Sequence, residues 1–344
     1  MGFEEILRNV AYTIARFMAF SAHAFLFGAP VVILLVLRPA FRDAAHERWD
    51  EGRARVARRL EGLTASALIS SAVATAVAIA LQATLVAELD EGDLATPSFL
   101  SVFSTTFGQW HLFRYPLLAG LFVLLSSKVE QWSLRPGGGA SRVWWGGWLG
   151  LSLALLATSS FTGHAAVSSP RALGLVNDIV HLGAASVWFA GIVILAVLLP
   201  DAWRGRDDLT SLELLGPSVV RFSKVALISI TTVAVTGTIN SLLNVAKFAD
   251  LWRSPYGLSL STKIALFLGV LALGGVNHLV LRERLRRGTN AGRARSAQRT
   301  FRVTIATELV IAVLIMAMTG WLVGQSKTRQ TMLPPGPPVT TGRD

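Results

Sequence analysis

Cysteine is absent from all 344 positions. That excludes structural disulfides, thiolate metal ligands and cysteine nucleophiles together. Any soft-metal site must use His, Met or backbone oxygen. Charge is also scarce: Asp, Glu, Lys and Arg make up 15% of the residues, against about 25% in an ordinary soluble domain. No phosphate-cradling glycine loop is present, so ATP-driven transport by this chain alone is disfavoured. The HExxH and GxSxG motifs are missing too, and no hydrolase constellation replaces them. These absences point away from an enzyme.

Apolar residues fill the space. They form 52% of the chain, and the mean hydropathy is +0.52. The charge deficit is concentrated in long uncharged runs, the signature of a polytopic membrane protein. Eight runs approach the ~20 residues needed to cross a ~30 Å hydrocarbon slab. They cover roughly 10–37, 63–87, 110–127, 143–161, 174–199, 219–243, 260–281 and 302–324. The expected fold is therefore all-α, with eight transmembrane helices. A signal peptide does not fit the first run, because its leader MGFEEILRN is not basic and the run continues to Leu37.

The net charge of +11 is unevenly placed. Twenty-two Lys and Arg lie in the first, third, fifth and seventh loops and their flanking helix ends; eight lie in the other loops, their flanks and the tails. The positive-inside rule puts the richer set in the cytoplasm, so both termini face outside. The most basic segment, RERLRRGTNAGRARSAQRTFR, reads as a topology anchor gripping anionic lipid rather than as a nucleic-acid site. Residues 327–344 are rich in Pro and Gly and are expected to form a disordered external tail.

The two halves resemble each other. VARRLEGLTASALISSAVATAV echoes VVRFSKVALISITTVAVTG, with Ala-Leu-Ile-Ser in common. In the third and seventh runs a Gly precedes a basic residue by six positions, Gly108 to Arg114 and Gly257 to Lys263. FGAPVVILLVLRP echoes WFAGIVILAVLLP at an offset of 161. With TSSFTG at the end of the fourth run echoed by IMAMTG in the eighth, four matches in chain order predict two tandem four-helix units, 1–162 and 163–326. An even number of helices per unit gives a parallel repeat about the membrane normal.

Against this background the histidines stand out, since an ionisable residue inside a membrane is expensive and marks a functional hypothesis. His164 falls in the external loop between the fourth and fifth helices, and His111 at the outer mouth of the third. His23 is near the middle of the first helix, and His278 near the inner end of the seventh. His181 lies roughly 10–12 Å into the fifth helix at 1.5 Å per residue. Asp178 is three residues before it, on the same face, where a carboxylate can orient an imidazole as the second shell of a metal site. Met18 and Met316 add thioethers, which together with imidazole suit Cu(I). Each of these residues also has a plainer reading. Single histidines hydrogen-bond between helices, and methionine fills gaps in cores.

GHA followed by NDIVHLGAASVWFAG resembles the copper resistance protein D (CopD) family, whose pattern runs Asp-x-x-His and then Trp-x-Gly-Gly. Asp178, His181 and Trp188 match it, while Ala190-Gly191 stands in place of Gly-Gly. RFSKVALISITTVAVTGTINSL and the Glu308 of the last helix are similar to further family elements. The resemblance implies a bacterial inner-membrane protein of copper uptake or resistance. Its metal candidates are His164, His181, His23, His111, Met18 and Met316, with Asp178 supporting His181. It also implies an external CopC-type copper-binding partner. Only about nine residues precede the first run, so that partner is expected on a separate chain. Two other readings stay open. One is a b-type cytochrome whose haem is held between His23 and His181; the other is a scaffold without cargo.

Overall fold

The computed structural model describes residues 3–44, 49–89, 100–127, 134, 141–163, 170–245, 247–286 and 291–324. Among these residues there are eight long helical stretches and no strand. They are α1 (Phe3–Val32), α2 (Asp50–Leu89), α3 (Thr106–Ser127), α4 (Arg142–Thr162), α5 (Arg171–Val193), α6 (Asp208–Asn244), α7 (Pro255–Arg286) and α8 (Ala291–Leu322). Each apolar run expected from the sequence is helical. Several helices are longer than the runs: α2 begins at Asp50 rather than 63, and α6 at Asp208 rather than 219. Hydropathy detects only the part of a helix that meets lipid, whereas the backbone ladder continues through the charged turns beyond it.

Six of the helices are long and apolar enough to cross a membrane. The chain is thus a polytopic all-α membrane protein. α3 and α4 are not among the six. α3 carries Gln109, His111 and Arg114, and α4 opens with Arg142 and three tryptophans, which dilutes their hydropathy.

α1 and α5 lie side by side at the centre. Their C-terminal parts and the turns that continue them are largely buried, from Leu26 to Phe41 and from Trp188 to Ala202. A helix that is apolar on every side belongs in the interior. In a bilayer there is little hydrophobic drive between helices, so close approach through small residues matters more. Gly28 supplies it here: a Cβ at this position would collide with the backbone carbonyl of Ser186. α6 and α7 sit at the periphery and present Leu227, Ile228, Val235, Leu258 and Leu268 outward. On a membrane protein these exposed side chains are the lipid-facing surface.

Two local devices occur twice. α1 runs through a π turn at Ile33–Leu37 into Arg38–Asp43, and α5 runs through a π turn at Ile194–Leu198 into Leu199–Ala202. Each π turn is followed two residues later by a proline, Pro39 or Pro200. A proline ring inside a helix clashes with the carbonyl four residues back. That carbonyl, of Leu35 or Ala196, lies within the widened turn, which relieves the clash. The two turns are 161 positions apart, the offset at which the sequences match.

The second device is a cap. A short helical turn at Val102–Ser104 precedes α3, and another at Asp250–Arg253 precedes α7. The hydroxyls of Thr105 and Ser254 accept from the amides of Gly108 and Gly257, at 3.0 and 2.9 Å. In both places the glycine is pressed against the carbonyl that opens the short turn, Val102 or Asp250, leaving no room for a Cβ.

Candidate functional site

Two groups of polar side chains stand out inside the bundle. The first surrounds His181. On α5, Asn177, Asp178 and His181 occupy one face, three and four residues apart, as helical periodicity requires. On α6, Thr236 and Asn240 stand one turn apart and meet that face. Asn177 Nδ2 donates to the Thr236 carbonyl at 2.9 Å and to Asn240 Oδ1 at 2.8 Å. Asn240 Nδ2 donates to Asp178 Oδ1 at 3.3 Å, and Ser160 of α4 donates to Asp178 Oδ2 at 2.7 Å. Each buried polar group leans on the next, so the layer is held as one network.

The His181 ring is fixed by Thr236. The Thr236 hydroxyl gives its proton to the Thr232 carbonyl at 2.6 Å. Its oxygen then accepts from His181 Nδ1 at 2.9 Å. This assigns the tautomer with the proton on Nδ1 and leaves Nε2 with its lone pair, the form a metal-ligating imidazole takes. Gly237 gives the ring its room, since a Cβ there would stand 3.3 Å from His181 Cε1. Lys263 of α7 is close enough to act electrostatically on both Asp178 and His181, and Tyr256 feels Asp178 as well. Sequence reading expects Asp178 to orient the ring; the partner seen on Nδ1 is Thr236.

The second group lies among α1–α4 and lines a cavity of about 230 Å³ at the end of the bundle where α1 and α3 begin. His111 donates from Nδ1 to the Phe107 carbonyl at 2.8 Å, and its ring stacks on Phe107. Arg114 is buried. It donates from Nε to the Thr158 hydroxyl at 2.8 Å and from Nη2 to Thr162 at 3.4 Å. Arg16 lies over the Tyr12 ring, 4.7 Å from its centre, and Tyr12 donates to Gln82 Oε1 at 2.7 Å. His23 is fully buried just below. Its Nε2 meets Ser71 of α2 at 2.8 Å and its Nδ1 meets Ser159 of α4 at 3.3 Å.

The candidates read from the sequence are therefore dispersed. His181 and Asp178 share one layer, and His23 and His111 belong to the other. Met316 packs against the main apolar core, and Met18 is half-buried on α1. His164 and the tail 327–344 lie outside the described residues, as does His46; α7 is helical at His278, but the described side chains stop short of it. Glu308 is buried. Among the described residues no three of His, Cys, Asp and Glu come together as a metal cluster. Asn177, Ser160 and Thr236 carry no motif of their own; the signal for them in the sequence is a polar residue inside an apolar run, and Thr236-Gly237 sits within the longer segment RFSKVALISITTVAVTGTINSL.

Two protein-family models match the chain. The copper resistance protein D-like N-terminal domain covers residues 7–172, and copper resistance protein D covers 217–322. The chain belongs to the copper resistance protein D family. As a member of that family it is a multi-pass bacterial membrane protein. It is similar to the copper transport protein CutJ of Bacillus subtilis (strain 168), with 29% identity over 274 residues, 78% of this chain and 48% of that protein. It is also similar to the copper resistance protein D of Pseudomonas syringae pv. tomato, with 30% identity over 170 residues, 48% of this chain and 54% of that protein. The chain spans about half the length of these curated relatives. No solved structure matches it.

Proposed function

We propose that this chain moves copper across the bacterial inner membrane, inward, with the His181 layer as its central binding site. The observation that carries this reading is the His181 ring: Thr236 holds it at Nδ1 so that Nε2 is presented as a ligand, one helical turn from a carboxylate. The printed names of the relatives support copper as cargo. Imidazole and carboxylate suit Cu(II), and a thioether from Met18 or Met316 would favour Cu(I).

In this reading all eight helices span the membrane with both termini outside, as two four-helix units. The duplicated π turns and caps support that arrangement. Copper is received outside near His164, from a CopC-type partner on a separate chain, and passes to His181. His23 is a further candidate in the first unit, whereas His111 shares its cavity with Arg114 and Arg16 and is left off the copper path. Lys263 balances the half-buried Asp178 carboxylate, which would otherwise be an uncompensated charge in a bilayer. An arriving cation competes with Lys263 for that carboxylate, so the site binds and still releases. The haem alternative is disfavoured by His23, whose two ring nitrogens face serines of α2 and α4 while His181 faces α6.

The test is copper accumulation, measured by mass spectrometry, in cells expressing wild type, His181→Ala, Asp178→Asn or His164→Ala at matched levels. His181→Ala is expected to abolish the transporter-dependent uptake, and His164→Ala to lower it. Wild-type uptake by His181→Ala rejects the central site.

A further inference from the structure

The cavity of the first unit has the wrong charge for a bare copper ion. Arg114 is 4% exposed, and Arg114 and Arg16 both line the space. Among the described residues no carboxylate lines the space. The hydrogen bonds of Arg114 go to two threonine hydroxyls, and among the described residues it makes no ion pair. A buried guanidinium facing a cavity without a counter-charge is costly unless an anion enters.

The remaining groups narrow the anion. Gln82 accepts from Tyr12 through its Oε1, which leaves its amide N–H groups as donors. His111 commits its Nδ1 proton to the Phe107 carbonyl, so its Nε2 is an acceptor. The site therefore offers two guanidiniums and an amide as donors, and one acceptor that needs a proton from the ligand. A fully ionised carboxylate cannot supply that proton, but a hydrogen phosphate can, through its P–OH. The volume, about 230 Å³, is several times the ~30 Å³ that one water occupies in the liquid, ample for a tetrahedral oxyanion.

We propose that the cavity between α1, α2, α3 and α4 is a phosphate site, in which Arg114 and Arg16 hold the anion, Gln82 donates to it and His111 Nε2 accepts from its hydroxyl. This site is distinct from the copper layer, and no copper measurement is needed to judge it. The phosphate has two conceivable sources, free inorganic phosphate or the headgroup of an anionic lipid, since the cavity opens at the end of the bundle.

The experiment is calorimetric titration of inorganic phosphate into the full chain, reconstituted in nanodiscs of phosphatidylcholine alone or with phosphatidylglycerol. Saturable binding in phosphatidylcholine is expected. Arg114→Gln should weaken it roughly tenfold to a hundredfold, the loss of a charged hydrogen-bond donor. Arg16→Gln and Gln82→Leu, at the cavity wall, should weaken it less, and they keep the test open if Arg114→Gln fails to fold. His111→Phe should remove the preference for hydrogen phosphate over acetate. Thermal stabilisation by phosphatidylglycerol, lost in Arg114→Gln and without any response to free phosphate, keeps the phosphate site and assigns it to the lipid headgroup. Absence of both responses, or equal responses in wild type and all the arginine and glutamine variants, overturns the proposal.

Discussion

The α1–α4 and α5–α8 halves share a backbone plan and differ in their charge plan. Both carry the π turn before a proline and the hydroxyl-capped glycine. Six residues after that glycine both place a cation, Arg114 or Lys263. Lys263 faces Asp178 on α5, whereas the position equivalent to Asp178 on α1, at the 161-residue offset, is Phe17. His181 corresponds in the same way to Phe20, which lines the first cavity. One scaffold thus yields a nearly neutral layer suited to a cation in one half and an electropositive cavity in the other. Under the proposed tandem-repeat reading, the elements the bilayer demands, namely backbone satisfaction and close packing, are kept in both halves while the few ionisable positions diverge.

The comparison holds only if the halves are pressed together, and Gly28 is where that can be broken. A leucine there must push α5 away, because the obstacle is the Ser186 carbonyl rather than a flexible side chain. Overpacking of this kind costs about 1–3 kcal/mol or more. Gly28→Leu is expected to abolish the monodisperse peak in fluorescence-detected size exclusion. Gly150→Leu, where nothing stands within 4 Å, should leave it intact. Equal behaviour of the two variants would mean the α1–α5 contact does not hold the molecule together.

Thr236 tests what is special to the second half. Thr236→Val keeps the shape and removes the acceptor for His181 Nδ1. Losing such an orienting partner typically lowers metal affinity by about 10–100-fold. Copper uptake should show that rise in half-saturation, and Thr236→Ser should restore it. A valine variant with unchanged half-saturation would remove Thr236 from the site.

Most of the scaffold was legible because a bilayer writes its demands plainly. Each helix needs an apolar run, and the repeated Gly-to-basic spacing marked the later cap. The site was less legible. Asp178 and His181 share a motif, but Ser160, Thr236 and Asn240 come from other helices, and only packing reveals which hydroxyl meets which ring. Likewise, nothing in the sequence joins Arg16 to Arg114; only packing puts both on the lining of one cavity.

A smaller effect separates two ion-pair clamps, one tying α2 to the turn that continues α5, the other tying α6 to the turn that continues α1. Arg59 of α2 meets Asp201 at 2.5 Å, while Arg221 of α6 meets Asp43. Asp201 is 11% exposed and Asp43 39%. Arg55 also donates to the carbonyls of Asp201, Ala202 and Arg204. The second clamp resembles an ordinary surface pair, worth about 0–1 kcal/mol. Arg59→Ala should therefore lower the melting temperature more than Arg221→Ala, and raising the salt concentration should erase the Arg221 effect first. The reverse order would show that exposure does not govern these clamps.

The smallest difference lies in two helix caps. Ser141 caps α4, its hydroxyl accepting from the Trp144 amide, and Asp207 caps α6, its carboxylate accepting from the Thr210 amide at 2.9 Å and the Thr210 hydroxyl at 2.6 Å. Those bonds hold the exposed Asp207 carboxyl below its ordinary value of 3.8. A depressed folded pKa contributes stability above the unfolded value, and that contribution fades as pH falls through the folded one. The first turn of α6 should therefore exchange its amides faster, relative to the intrinsic rate, once the pH drops below the usual carboxylate range. Serine does not titrate there, so the first turn of α4 should follow the intrinsic rate throughout. Hydrogen exchange at 208–212 and 142–146 across that range separates the two, and Asp207→Ser should make the α6 turn behave like its counterpart in α4.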